Sequence, residues 1–336
     1  MRTTQLLCRA ALSIVALAIL TGCENASVNA PAVPPAPATP TPVPTPSMLY
    51  VASSNTGSGL NGAILGFSLK TSGNVAPAVN ISGSNTQLQH PTGLAIDAKG
   101  QFYVSNLMGT AIYVYAAGAN GNVAPIASIS GSNTTLKSIQ DIALDSNGNL
   151  WVSDYVVPAI DEFAAGQSGN IAPIRTISGA ATQFAFPYSV SVDASGQIYV
   201  GDLKGVWVFP AGANGNVAPS RSITSANLTD FAVAKSCASG TLAVAEAPDG
   251  TALQFPADAN GSTAPSAVVT GSSTGLTNAQ GIACDRLGNI FVADSPSWSE
   301  GSLYEFAAGA TGNVAPVWSV SGSNTLLEDP FAVVLR

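Results

Sequence analysis

An all-β fold built from repeated units is predicted by three observations on this 336-residue chain. The first is composition: charged residues make up only 9%, while Gly reaches 33 and Pro 22, which suits turns and strands rather than helices. The second is a recurring phrase. Gly73-Asn74-Val75-Ala76-Pro77 returns at Gly121, Gly169, Gly215, Gly261 and Gly312, at spacings of 48, 48, 46, 46 and 51 residues, with Gly261-Ser262-Thr263-Ala264-Pro265 as the degenerate copy. A period in this range marks propeller blades or solenoid units. The third is the complementarity of the two ends of the repeat region. Residues 48–53 read as the second strand of a unit and residues 330–336 as a first strand, so one split unit completed by both ends removes the open sheet edges. Together these features predict a six-bladed β-propeller of four-stranded antiparallel blades over residues 48–336, closed by pairing of the N- and C-terminal strands.

Ahead of the repeats, Arg2 and Arg9 precede an apolar run over residues 10–20, the charged and hydrophobic regions of a secretory signal. The run is too short for a bilayer span, which needs about 20 apolar residues. It ends Leu20-Thr21-Gly22-Cys23, which resembles the bacterial lipobox. The resemblance implies a signal peptide over residues 1–22 and lipidation of Cys23. Glu24, rather than Asp, follows the modified Cys, which by the same resemblance implies the outer membrane of a Gram-negative envelope as destination. Residues 23–47 are rich in Pro, Ala and Thr and read as an extended tether. Cleavage before Cys23 leaves 9 basic and 19 acidic residues, a net charge of −10. Such a balance is a poor match to phosphate backbones, so nucleic acid is not an expected partner, and membrane attachment is expected from the lipid alone.

Within a unit, residues 94–97 form a short apolar strand, and Asp97 to Gly100 places Asp first and Gly fourth in a type I turn. Residues 101–105 and 111–116 make the second and third strands, and Ile112 and Val114 alternate with Tyr113 and Tyr115. Turn residues at 118–122 lead to a fourth strand over 126–129. Four strands per repeat is blade content. The Asp-x-x-Gly turn returns at Asp145, Asp193 and Asp285, followed each time by an aromatic and a Val, and it is missing near Cys237. The pattern carried by Pro91, Gly93, Ala95, Asp97, Gly100, Tyr103 and Val104, and again by Gly281, Ile282, Ala283, Asp285, Gly288, Phe291, Val292 and Asp294, resembles the NHL repeat family. The resemblance covers nearly all of residues 49–336, although the Asn-His-Leu tripeptide that names the family is absent.

In a propeller the Asp-x-x-Gly and Gly-Asn-Val-Ala-Pro turns share one face, and the second-to-third-strand loops share the other with the inter-blade connections. On that second face Asn106, Asp154, Asp202, Glu246 and Asp294 recur once per blade at the end of the second strand. Two readings are open for them: a carboxylate ring suited to Ca²⁺, or acceptors for turn N–H groups. No other cofactor is expected. NHL-like amidating lyases, which the repeats also resemble, use several histidines around zinc, whereas His90 is the single histidine of this chain. Virginiamycin B lyase-like propellers show similar repeats, but their His/Glu set has no evident match here. Two function classes follow: an envelope-anchored binding or scaffold module for a protein, peptide or glycan, or a propeller hydrolase or lyase with a carboxylate or metal site at the channel mouth. The candidate binding face comprises His90, Asp154, Tyr155, Tyr188, Asp202, Glu246, Asp294 and Trp298, with His90, Tyr188 and Trp298 expected near the channel mouth. Cys237 and Cys284 are the cysteines left in the mature chain besides Cys23, in adjacent blades, and they are either bridged or two buried thiols.

Overall fold

The structure is a computed structural model that describes residues 47–54, 62–107, 110–203 and 205–336. The signal peptide, Cys23 and the tether up to residue 46 lie outside the described residues. Short, largely apolar segments punctuated by glycine turns give six antiparallel four-stranded sheets. Blade 1 is split between the chain ends, in the order β24 (Pro330–Leu335), β1 (Met48–Ser53), β2 (Ala63–Ser68), β3 (Val79–Ile81). Blade 2 holds β4 (Pro91–Ile96), β5 (Phe102–Asn106), β6 (Ala111–Tyr115) and β7 (Ala127–Ile129). Blade 3 holds β8 (Ile139–Leu144), β9 (Leu150–Asp154), β10 (Ala159–Phe163) and β11 (Arg175–Ser178). Blade 4 holds β12 (Ser189–Val192), β13 (Ile198–Asp202), β14 (Gly205–Phe209) and β15 (Arg221–Ile223). Blade 5 holds β16 (Phe231–Ser236), β17 (Thr241–Ala247), β18 (Thr251–Pro256) and β19 (Ala267–Val269). Blade 6 holds β20 (Ala279–Cys284), β21 (Ile290–Ser297), β22 (Glu300–Phe306) and β23 (Trp318–Ser321). Closure is by the two ends: Leu49 pairs with Leu335 and Val51 with Val333, and the N–H groups of Ser47 and Met48 both donate to Arg336 O at 2.9 Å.

The core lies between blades rather than within them. Side chains alternate across each strand, so in β6 Ile112 packs toward blade 3 with Ile142 and Phe163, while Tyr115 packs toward blade 1 with Ile64 and Leu88. Both faces of a blade are therefore buried, which accounts for the apolar composition and the scarcity of charge. Innermost strands approach one another so closely that a side chain is excluded at Gly281, where a Cβ would lie 1.8 Å from Phe331 O.

The Asp-x-x-Gly turns form as expected from their residue types. Asp145 Oδ1 accepts from the N–H groups of Asn147 and Asn149, and Gly148 N donates to Asp145 O at 3.0 Å. Blade 5 closes the same turn without the aspartate, through Gly240 N to Cys237 O at 2.9 Å. The Gly-Asn-Val-Ala-Pro phrase has a role that its sequence does not announce. Each copy runs beside the outermost strand of the preceding blade: Gly169 bridges to Ile129, Gly215 to Ile177, Gly312 to Val269 and Gly73 to Val320. The Asn of the phrase then reaches into that blade's exit loop. Asn122 Oδ1 accepts from Asn85 N, Asn170 from Asn133, Asn216 from Ala181, Asn313 from Ser273 and Asn74 from Asn324, all at 2.6 to 2.7 Å. The phrase is thus a clasp that covers an outer strand edge and locks neighbouring blades.

Candidate functional site

Strand direction puts the clasps and the Asp-x-x-Gly turns on one face. The opposite, variable face carries the loops between second and third strands and the connections from one blade to the next. The once-per-blade residues at the end of the second strand lie just beneath that face. Asn106, Asp154, Asp202, Glu246 and Asp294 are each at most 1% exposed. Their oxygens accept from the incoming connection: Asn106 from Gln89 N, Asp154 from Lys137 N and Ser138 N, Asp202 from Ala185 N and Phe186 N, Glu246 from Thr229 N and Asp230 N, Asp294 from Thr277 N and Asn278 N. They act as caps that satisfy turn N–H groups. Of the two readings open for this ring, the acceptor geometry is the one seen. Among the described residues no group of three or more His, Cys, Asp or Glu side chains is placed to ligate a metal ion.

Glu246 of this ring and Asp161, outside it, carry raised pKa values. Burial pushes Glu246 up to about 7, against the lowering effect of the Thr229 and Asp230 N–H groups, and its Oε1 has no hydrogen-bond partner. Asp161, on β10, is pushed up to about 6 by burial, which outweighs its hydrogen bond from Thr176.

The channel holds a polar cluster that sequence reasoning missed. Lys235 on β16 donates to Asp141 Oδ2 on β8 at 2.5 Å and to Val190 O on β12 at 3.0 Å, and Val190 N donates to the same Oδ2. One ammonium therefore ties blades 3, 4 and 5 together. Asp141 is 5% exposed and its Oδ1 has no partner. Above the pair is a cavity of about 20 Å³, the size of a single water, lined by Thr92, Gln140, Tyr188 and Gln280. Below it a 310 Å³ cavity opens toward the clasp face, walled by Leu94, Ile142, Val192 and Leu335 with Ser191 and Ser236. The available signal was departure from the repeat: Asp141 stands where blades 2 and 6 have Gly93 and Gly281, and Lys235 where they have Ala95 and Ala283.

His90 sits at the channel mouth in a left-handed conformation (φ 68°), its ring 5.6 Å from Phe331. Burial lowers its pKa, opposed by the nearby Asp329 carboxylate. Tyr188 is also at the mouth, where its hydroxyl donates to Gln280 Oε1 at 3.3 Å and burial raises its pKa. Tyr155 belongs to an aromatic tract that leads there from the rim. Ring centroids are 6.4 Å apart for Tyr155 and Phe186, 6.3 Å for Phe186 and Phe231, and 4.9 Å for Phe231 and Tyr188. Val156, Val157 and Phe186 remain 59, 49 and 43% exposed beside it. Trp298 departs from expectation: it does not line the channel cavities but stands 67% exposed at the tip of the β21–β22 hairpin, because that hairpin runs on past Asp294. Cys237 and Cys284 are joined in a disulfide across blades 5 and 6, with Cα atoms 5.7 Å apart.

No known protein family and no curated protein matches the sequence. Solved structures do match the fold. A protein of unknown function from Bacteroides caccae superposes with a TM-score of 0.61 at 12% identity, over 87% of this chain and 99% of its own. A chain of the nidogen/laminin complex gives 0.56 at 12% identity, over 86% and 97%, and a protein from Lactobacillus plantarum gives 0.54 at 11%, over 87% and 99%. At such identities the likeness is one of fold alone, and with its own strand order it makes the chain a six-bladed β-propeller.

Proposed function

We propose that this propeller is the binding module of an exported lipoprotein, anchored through Cys23 by an NHL-like chain whose destination is the outer membrane, and that it engages a partner protein of the envelope. The observation that carries the reading is the placement of the aromatic tract relative to the chain ends. Ser47 and Arg336 meet on the clasp face, so the chain enters and leaves the propeller on the face opposite the variable one. On that face Tyr155, Val156, Val157 and Phe186 expose apolar surface that no core requires. Asp230 and the exposed Asp249 lie on the loops of blade 5 beside Phe231. The occupant that fits is a segment of a partner protein with apolar anchors and flanking basic residues.

The test is cross-linking and capture from envelope extracts with the full chain. Phe186→Ser and Val156→Ser are expected to lose the captured protein, while Asn122→Ala in a clasp retains it. Equal capture by all variants would refute the assignment. Mass spectrometry of membrane-extracted protein checks the anchor, with the expected N-terminus a diacylglyceryl-modified Cys23. A soluble product beginning elsewhere would remove it.

A further inference from the structure

We propose that the seam between blades 6 and 1 holds a second, separate site, a groove that binds a neutral oligosaccharide. The β21–β22 hairpin runs past the cap Asp294 through an irregularity and pairs Ser297 with Glu300. The resulting arm is one wall of a 550 Å³ groove, and the connection over residues 321–328 is the other. Small-ligand sites have volumes of about 300–1,000 Å³. Ser299, Glu300 and Ser302 line the first wall and Ser321, Ser323 and Glu328 the second. Leu326 in the second wall is 52% exposed, and Trp298, outside the lining but next to Ser299 at the arm's tip, is 67% exposed at the groove's edge.

Each part matches one feature of a sugar. Carboxylates accept short, charge-assisted bonds from hydroxyls, serine hydroxyls both donate and accept, and an indole offers an apolar face with a polar edge to the C–H side of a pyranose ring. Among the described residues no Lys, Arg or His lines the groove. Uronic acids, phosphates and sulfated sugars would meet two carboxylates with no cation to offset them. A neutral polyhydroxyl ligand needs none. Gly301 holds the arm in place, since a Cβ there would lie 2.5 Å from Pro330 Cδ. The site stands on different residues from the aromatic tract, so either assignment can fail without the other.

Isothermal titration of the detergent-solubilised full chain with tetrasaccharides of glucose, mannose and N-acetylglucosamine tests the groove, with tetragalacturonate as the anionic comparator. At least one neutral tetrasaccharide is expected to saturate. Trp298→Ala should weaken it about 10-fold or more, Trp298→Tyr should keep most of the affinity, and Phe186→Ser should bind it as the wild type does. Tetragalacturonate should give no saturable heat. The site is overturned if no neutral tetrasaccharide saturates, if Trp298→Ala binds unchanged, if tetragalacturonate binds as tightly, or if Phe186→Ser loses the sugar.

Discussion

The seam between blades 1 and 2 and the seam between blades 4 and 5 solve one problem in two ways. At the first, the clasp does the joining: Asn122 reaches Asn85 N, and Gly83 stays bare at φ 116° because a Cβ would lie 2.6 Å from the Asn122 side chain. At the second, Ser262 replaces the Asn, and Thr224-Ser225-Ala226-Asn227 replaces the glycine loop. The side-chain half of the clasp is gone, while its backbone half stays, with Gly261 bridging to Ile223 and accepting from Thr224 N at 2.8 Å. The side-chain bonding there moves inward: Ser189 Oγ donates to Ala232 O and accepts from Ala234 N, Ser191 Oγ donates to Ala234 O and accepts from Ser236 N, and Lys235 reaches Val190 O. Arg221 adds bonds to Ala257 O and Ala259 O. A propeller ring thus requires every seam to be tied but leaves the radius of the tie free.

The largest effect is expected where the inner lacing includes a buried charge. Lys235→Met leaves Asp141 unpaired in the channel and should cost about 3–5 kcal/mol, read by urea unfolding of residues 48–336. Asp141→Asn combined with it should recover most of the loss, and a single-variant loss below about 1 kcal/mol would show that the pair ties nothing. Next comes the clasp. Gly83→Ala must adopt a backbone region reserved for glycine and displace Asn122, a cost of about 3 kcal/mol, whereas Ser262→Ala, at the seam whose phrase lacks the Asn, should stay within about 0.5 kcal/mol. Comparable losses would mean the two seams do not differ in this respect. Ser189→Ala strips the acceptor from Ala234 N and should cost about 1–2 kcal/mol, and a neutral result would move the tie elsewhere.

The smallest effect is a pH dependence that belongs to the connection between blades 4 and 5. Glu246 caps that connection with a pKa raised from 4.5 to about 7 by burial. The folded state therefore binds the proton more tightly than the unfolded state. The stabilisation is fully present below pH 4.5 and is lost as pH rises through about 7. Asp161 has the same sign over a lower window, from 3.8 to about 6. Urea midpoints should be higher at pH 5 than at pH 8, and Glu246→Gln should flatten the difference. An unchanged slope in that variant would exclude Glu246 as its source.

Blade number, strand order and closure were legible because repetition multiplies weak local signals: one Asp-x-x-Gly turn is only a turn, but its return before Trp151, Tyr199 and Phe291 fixes a register. The clasp was not legible, since Asn122 and Asn85 meet across two blades and nothing local to either residue says so. The second-strand acids were legible as a ring, but sequence alone does not show whether an oxygen faces solvent or a neighbour's N–H. The channel pair escaped for the opposite reason. Asp141 and Lys235 each break the repeat once, and a single exception looks like drift until its partner is seen 2.5 Å away.

The split blade has a mechanical consequence. Because β24 lies inside it and β2 outside it, β1 is gripped along both edges: Tyr50 faces Val334 on one side and Gly66 on the other. A pull applied at Ser47 along the axis of β1 enters the domain at this strand. Both ladders are then loaded in shear, so their hydrogen bonds must yield together rather than peel one by one. A ring that needs only six C-terminal residues to shut thereby places the entry of the chain on a strand that cannot be unzipped from a free edge.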